Sequence, residues 1–198
     1  MKLGHSQPLE YSTHHNELNI FGFWIFIGAE IMLFATLFTS YFTLENRVGS
    51  GPSGAEIFEI TPVLIETFLL LTSSFTIGLA VHAMRIGRVK AMMSFFVITL
   101  ILGLSFLGVE IYEFVHYVHV GAGLQTSAFT AMLLTTLGTH GIHVTFGLFW
   151  GTMIILQIRK RGLTPETAGK SFIFSLYWHF LDVVWIFIFS FIYLKGMM

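Results

Sequence analysis

The stretch IFGFWIFIGAEIMLFATLFTSYFTL, residues 20–44, contains a single charged side chain, Glu30. A transmembrane helix needs about 20 mostly apolar residues, because each residue rises about 1.5 Å and the hydrocarbon core is roughly 30 Å thick. The stretch is long and apolar enough to meet that requirement. It therefore predicts a membrane-spanning helix.

Four more stretches have the same character, so the chain contains five predicted spans. They cover residues 20–44, 62–84, 94–117, 128–156 and 172–193. The connections are short, with one flexible turn at residues 49–54, and residues 1–19 form a polar tail. The sequence thus predicts an all-α integral membrane protein, in which residues 20–198 form one domain, a bundle of five transmembrane helices.

Composition supports this class and excludes others. Of the 198 residues, 55% are hydrophobic and 11% are charged, and the mean hydropathy is +0.77. A net charge of −1 without a dense basic run argues against nucleic acid as a partner. The chain has no Cys, which excludes disulfides, thiolate metal sites and thiol nucleophiles. Residues 1–19 lack the pattern of a signal peptide, so we expect the first span to remain in the mature protein.

The distribution of Lys and Arg predicts the orientation, because cytoplasmic segments keep an excess of both. One side carries Lys2, Arg85, Arg88, Lys90, Arg159, Lys160, Arg161 and Lys170, and the other side carries Arg47 and Lys195. We therefore expect the N-terminus in the cytoplasm and the C-terminus outside.

Ionisable side chains inside the spans are the candidate functional residues. An acid at mid-bilayer costs roughly 2.5–3.5 kcal/mol unless it is paired, protonated or hydrated. The candidates are Glu30, Glu66, Glu110, Glu113, His140, His143, His179 and Asp182. By depth, we expect those of the first, fourth and fifth spans to form one polar layer between helices. Glu110 and Glu113 fall near the outer end of the third span, where we expect water to reach them, and we favour a structural role for both.

Periodicity groups polar and small residues in the fourth span. At about 100° per residue, His140, His143, Gly147 and Gly151 share one face. Small residues let another backbone approach closely, so we expect this face to pack on protein and to give the histidines interhelical partners. Hydrogen-bonded packing histidines are the favoured interpretation, and a ligand role remains open.

Glu30 has Phe23, Phe34 and Tyr41 on its own helical face, an apolar surround that favours the protonated carboxyl. Structural hydrogen bonding and a part in proton or lipid handling are equally open for this residue. In the fifth span, His179 and Asp182 are expected to form an interhelical polar clamp, again with a functional alternative.

Ligand sets for redox chemistry are incomplete in this sequence. A haem with two axial histidines needs them on facing helices, whereas His140 and His143 are three residues apart on one helix. Nucleotide loops, H-E-x-x-H and G-x-S-x-G motifs are absent. We therefore expect no catalytic, cofactor-binding or metal-binding residues in this chain, and a supporting role within a larger complex.

Three segments resemble the signatures of subunit III of haem-copper oxidases. They are GFWIFIGAE at residues 22–30, THGIHV at residues 139–144 and YWHFLDVVW at residues 177–185. The likeness runs from about residue 20 to the C-terminus. It corresponds to the five-helix bacterial form, which lacks two helices that precede the Glu-containing segment in longer members.

The resemblance implies an accessory subunit of a proton-pumping terminal oxidase in the bacterial cell membrane. It implies that haem and copper lie in the catalytic subunit I, that subunits I, II and a small subunit IV are the partners, and that phospholipids occupy a V-shaped cleft between helix groups. In the family, the glutamate that corresponds to Glu30 is buried in the membrane, sensitive to carbodiimide and associated with proton uptake.

The stretches RGLT at residues 161–164 and YLKG at residues 193–196 are most similar to the quinol oxidase branch, particularly the aa(3)-type menaquinol oxidases. This likeness implies quinol as the substrate of the complex. Subunit III of an aa(3)-type cytochrome c oxidase is the alternative. More distant alternatives are a membrane cytochrome that uses the deep histidines and a secondary transporter, although no inverted repeat is evident.

Overall fold

The computed structural model describes residues 8–49 and 51–197. Lys2 and His5 of the predicted tail, and Ser50 of the predicted turn, lie outside the described residues. Within the two described ranges the chain is helical and contains no strand. In chain order, the elements are a 3-10 turn Leu9–Tyr11, α1 His14–Leu44, α2 Gly54–Ile57, α3 Ile60–Arg85, α4 Val89–His119, α5 Ala128–Arg161, α6 Pro165–Ile188 and a π turn Phe189–Leu194.

Among the described residues, five helices are long and apolar enough to cross a membrane, namely α1, α3, α4, α5 and α6 with the π turn. The five predicted spans are therefore confirmed as helices. Each extends beyond the apolar segment, because polar residues continue a helix as readily as apolar ones where it leaves the hydrocarbon. Helix α1 begins at His14 rather than Ile20, and α6 begins at Pro165 rather than Phe172.

Side-chain caps fix these helix starts. Thr13 Oγ1 accepts a hydrogen bond from the backbone N–H of Asn16 at the start of α1. Thr164 and Thr167 form a reciprocal capping box at the start of α6. Just before it, Gly162 ends α5 with a φ of 74°, in the left-handed region that favours glycine. The polar connection between α5 and α6 is thus held in one tight turn.

The helices pack as a bundle in which α3 and α4 form the most extensive contact. Helix α4 also packs on α5, α3 and α5 both pack on α6, and α1 lies against α5 and α6. Small residues permit close approach between α5 and α6. A Cβ added at Gly147 would lie 2.9 Å from the Trp178 ring, and one at Gly151 would lie 2.9 Å from the Phe174 ring. The glycine face of the fourth span packs on protein, as predicted.

The described part of the predicted polar tail is folded onto the bundle. Glu10 is fully buried, and its Oε1 accepts a hydrogen bond from Arg85 Nε at 2.8 Å. The neighbouring Tyr11 packs edge-on against Phe172 with ring centroids 5.6 Å apart. The 3-10 turn therefore attaches the segment before α1 to the ends of α3 and α6.

The helix ends form two sets. Helices α1, α4 and α6 start at one end of the bundle and α3 and α5 end there. We call it the basic end, because Arg85, Lys90 and Arg161 lie at these helix termini. Between the two ends, large apolar side chains such as Phe21 and Met32 project outwards, and Met32 is 72% exposed. Such a surface suits lipid or a partner helix and is unfavourable in water. The chain is a multi-pass membrane protein.

Candidate functional site

Glu30 of α1 and His143 of α5 face each other across the contact between these two helices. Glu30 Oε2 lies 3.1 Å from His143 Nε2, a full hydrogen-bonding distance. The side chains are 13% and 19% exposed, so the pair lies at the edge of the bundle rather than in its centre. On the other side of His143, Tyr177 of α6 donates a hydrogen bond to the His143 backbone carbonyl at 2.9 Å. The sequence predicted an interhelical partner for His143, and the structure identifies this partner as Glu30.

The contacts of the imidazole determine how many protons the pair shares. His143 Nδ1 lies 2.7 Å from the carbonyl oxygen of Thr139, which can only accept, so Nδ1 must carry a hydrogen. A single proton then lies between Nε2 and Glu30 Oε2. It belongs either to a carboxylic acid facing a neutral imidazole or to an imidazolium facing a carboxylate. Both forms are neutral overall, which lowers the cost of placing the pair inside a membrane.

His140 lies one helical turn away from this pair and has a different environment. It is fully buried, and its ring packs near Phe106 at 5.8 Å and Trp185 at 5.6 Å. Within the described part of the chain, neither ring nitrogen has a hydrogen-bonding partner. His140 is thus a packing residue, but the expected hydrogen bond is missing, because its ring points towards the aromatic interior while that of His143 points towards α1.

His179 and Asp182 lie on α6 where it faces α3. His179 Nδ1 is 2.7 Å from Ser74 Oγ, which confirms an interhelical polar contact for His179. Asp182 lies beside the same serine and histidine, but its Oδ1 has no partner among the described residues. Two indole N–H groups of α6 extend this contact, since Trp178 and Trp185 donate to hydroxyl groups of α3. The accepting residues are Ser73 and Thr67.

Glu110 and Glu113 of α4 require a correction, because protein encloses most of both side chains, whereas the sequence predicted that they are open to water. Each is 4% exposed. The carboxyl group of Glu110 lies against Gly141 of α5, where an added Cβ would be 2.8 Å from Oε2. Glu113 Oε2 accepts hydrogen bonds from Tyr193 at 2.7 Å and from Tyr117 at 3.2 Å. Helix α5 around Gly141 and the π turn after α6 cover this part of α4, which the hydropathy pattern of the third span alone did not reveal.

The predicted polar residues therefore form separate groups rather than one layer. Glu30 and His143 join α1 to α5, the His179 and Asp182 group joins α6 to α3, and Glu110 and Glu113 lie towards the end opposite the basic end. In the described residues, no hydrogen bond connects one group to another. Residues 8–49 and 51–197 contain no group of three or more His, Asp or Glu side chains placed to hold a metal ion.

The whole bundle can be compared with known proteins. The model of the cytochrome c oxidase subunit III family matches residues 10–197. The chain is 59% identical over 190 residues to "Quinol oxidase subunit 3" of Bacillus subtilis strain 168, covering 96% of this chain and 93% of the relative. It is 58% identical to the protein of the same name from Bacillus spizizenii, with the same coverage.

A third relative comes from another genus. "Probable quinol oxidase subunit 3" of Staphylococcus aureus strain USA300 is 48% identical over 193 residues, covering 97% of this chain and 96% of the relative. The similarity includes the segments that contain Glu30, His143, His179 and Asp182, since all lie within the matched residues. This multi-pass bacterial membrane protein belongs to the cytochrome c oxidase subunit III family and is an accessory subunit of a terminal oxidase.

Proposed function

We propose that this chain is subunit III of a proton-pumping quinol oxidase, in which it supports a catalytic subunit I that contains the haem and copper. The observation that carries the proposal is the similarity over 96% of the chain to a relative named quinol oxidase subunit 3. In this proposal the chain itself holds no redox centre, and subunit II and a small subunit IV complete the complex. Its contribution is a proton-sharing pair, lipid binding and a large apolar contact surface.

The orientation is part of the same proposal. The basic end contains Arg85, Lys90, Arg161 and Lys170, and cytoplasmic segments retain an excess of such residues. We place the basic end in the cytoplasm, so the π turn after α6 ends on the external side. Protons taken up for oxygen reduction then come from the side where α1 begins.

Glu30 and His143 support the proton-handling part of the proposal. They share one proton across a 3.1 Å contact, and both are partly exposed at the outer face of α1 and α5. A partner helix or an ordered water at this face can therefore exchange a proton with the pair, since transfer requires a hydrogen-bonded path.

Two neighbouring cavities support the lipid-binding part of the proposal. The first, of about 560 Å³ at the basic end, contains Arg161 and Lys170. The second, of about 440 Å³, starts one helical turn further along α1 and α6 and is almost entirely apolar. It is lined by Phe23, Phe26, Phe146, Phe149, Trp150, Met153 and Tyr177. This arrangement suits a phospholipid with its phosphate at the basic end and an acyl chain along the aromatic side chains.

Isolation of the intact complex tests the proposal. The complex should be purified through a tag on this chain, and its subunits, metals, haem, quinone and lipids should be analysed. We expect haem and copper in stoichiometric amounts with a subunit I, and a subunit II without a dicopper thiolate centre. A subunit II that contains such a centre would identify a cytochrome c oxidase instead. Isolation of this chain free of any haem protein would contradict the accessory role.

A further inference from the structure

Glu66, Glu110 and Glu113 form a buried acidic cluster between α3 and α4 that the proposed function does not use. Their exposures are 0%, 4% and 4%, and the carboxyls of Glu110 and Glu113 are close enough to interact electrostatically with Glu66. Within the described part of the chain, both oxygens of Glu66 and both oxygens of Glu110 lack a hydrogen-bonding partner. These four unpartnered oxygens indicate that the cluster holds something besides its own side chains.

The charges of the three carboxyl groups indicate which species the cluster can hold. Among the described residues, no Lys or Arg forms an ion pair with any of the three carboxyls. Three neighbouring negative charges in a medium of low dielectric constant and without a cation would be strongly unfavourable. Protons and water can balance such a group, and the described residues have no arrangement of side chains that could hold a metal ion instead. Retained protons would remove part of this cost.

Hydrogen bonds distinguish the roles of the three residues. Glu113 Oε2 accepts the O–H groups of Tyr193 and Tyr117, and two donors on one oxygen stabilise the carboxylate form. Glu66 and Glu110 have no such donors within the described residues, so no neighbouring group favours their carboxylate forms. Of the three residues, Glu113 is therefore the best placed to accept a proton.

A cleft connects Glu113 to the end opposite the basic end. Its volume is about 10 Å³, which is room for about one water molecule. The lining residues are Ile57, Glu59, Pro62, Tyr112, Glu113, His116 and Tyr117. Besides the two tyrosines, Glu59 and His116 are the titratable groups that face Glu113 there. On the inner side, the fully buried Phe106 and Trp185 pack edge-on at 4.8 Å beside His140.

We propose that Glu66, Glu110 and Glu113 form a proton-holding site that exchanges protons, through a water molecule at Glu113, with the aqueous phase at the end opposite the basic end. In each exchange, a hydronium ion gives a proton to a carboxylate oxygen and becomes water, and the reverse step releases the proton. Electrons are not transferred. The site depends on neither oxygen reduction nor the Glu30 and His143 pair. An experiment that disproves it would therefore leave the proposed function unaffected.

Infrared difference spectroscopy of the intact complex tests the site, because the carbonyl stretch of a protonated carboxylic acid is distinct from that of a carboxylate. Spectra recorded in H₂O and D₂O should show exchangeable acid bands. We expect Glu66→Gln and Glu110→Gln each to remove one component. Glu113→Gln should slow the exchange of the remaining components by roughly a hundredfold, because a positioned acid or base accelerates proton transfer by about that much or more.

The control is Glu166→Gln, which removes an exposed carboxyl that is ion-paired with Lys170 at the basic end and should leave the acid bands unchanged. A measurement without variants subtracts the spectrum of the complex lacking this chain from that of the complete complex. Persistence of all acid bands in both Glu66→Gln and Glu110→Gln, or a subtraction without exchangeable acid bands, would overturn the proposal. If proton exchange in Glu113→Gln is as fast as in the unaltered complex, the path through Glu113 is overturned.

Discussion

A double-mutant cycle on Glu30 and His143 tests the contact that joins α1 to α5. Glu30→Leu and His143→Leu each remove one partner of the 3.1 Å contact, and the double variant removes both. The stability lost in each single variant includes other contributions, because His143 also packs against Phe34 with ring centroids 5.4 Å apart. These contributions cancel in the coupling energy, which therefore measures only the contact between Glu30 and His143.

The structure sets the expected magnitude of the coupling. The contact has full hydrogen-bonding length, but both side chains are partly exposed, which reduces the cost of leaving either one alone. Interhelical hydrogen bonds in membrane proteins average about 0.6 kcal/mol and reach about 1.7 kcal/mol. We expect a coupling of about 1 kcal/mol, equivalent to a factor of roughly five in the unfolding equilibrium.

The assay is the unfolded fraction of this chain in the purified complex as the mole fraction of a denaturing detergent is raised. The matched control is a second cycle that combines Glu30→Leu with His140→Leu. His140 lies on α5, as His143 does, but faces Phe106 and Trp185. We expect this control pair to be additive within about 0.5 kcal/mol. Equal coupling in both cycles, or none between Glu30 and His143, would refute the assigned contact.

Three other predictions concern packing, the α3 contact and topology. Gly103→Ala should lower the free energy of unfolding by about 1–3 kcal/mol in the same detergent titration, because the added Cβ would lie 2.6 Å from a buried tryptophan ring. The control is Gly108→Ala, which should be neutral because its Cβ would enter open space. His179→Leu should cost about 1 kcal/mol by leaving a serine of α3 unpaired, and a loss below the error of the titration would contradict the clamp. A reporter fused after Lys90 should be cytoplasmic and one after Ser53 external, and the reverse result would contradict the proposed orientation.

The helices could be predicted from the sequence because their signal is local. An apolar segment of sufficient length identifies a span without knowledge of its neighbours, so all five were found. The starts of α1 and α6 were misplaced, because hydropathy does not detect the hydroxyl caps at Thr13 and Thr164 that let these helices begin earlier. The orientation rests on charge counts alone and stays a prediction.

Pairing between helices was the part that the sequence did not reveal. Periodicity placed His143 on a protein-facing side but gave no partner, and Glu30 is 113 residues away in the chain. The α3 acceptors were missed because Ser and Thr inside apolar helices usually bond to their own backbone, as Thr67 also does. One signal could have identified them. Trp178 and Trp185 are seven residues apart, and antiparallel α3 offers Ser73 and Thr67 at nearly the same spacing.

Glu113 shows a second reason for failure. Its burial depends on Tyr193, which lies in a π turn whose extra residue per turn rotates the side chains relative to an α-helix. A projection at the α-helical period cannot anticipate that rotation. The sequence therefore identified the polar residues in the membrane but not which of them are enclosed.

The central claim, that this chain supports a terminal oxidase without performing its chemistry, is tested most directly by comparing the complex with and without the chain in sealed vesicles. Haem absorbance, initial oxygen uptake and proton release should be measured on the same preparations. We expect the complex without this chain to keep its haem spectrum and a measurable initial rate. Sustained turnover or proton yield should decline, because subunit I loses an apolar interface, bound lipid and the Glu30 and His143 pair. Immediate and complete loss of oxygen uptake, with haem still bound and the other subunits present, would contradict the accessory role.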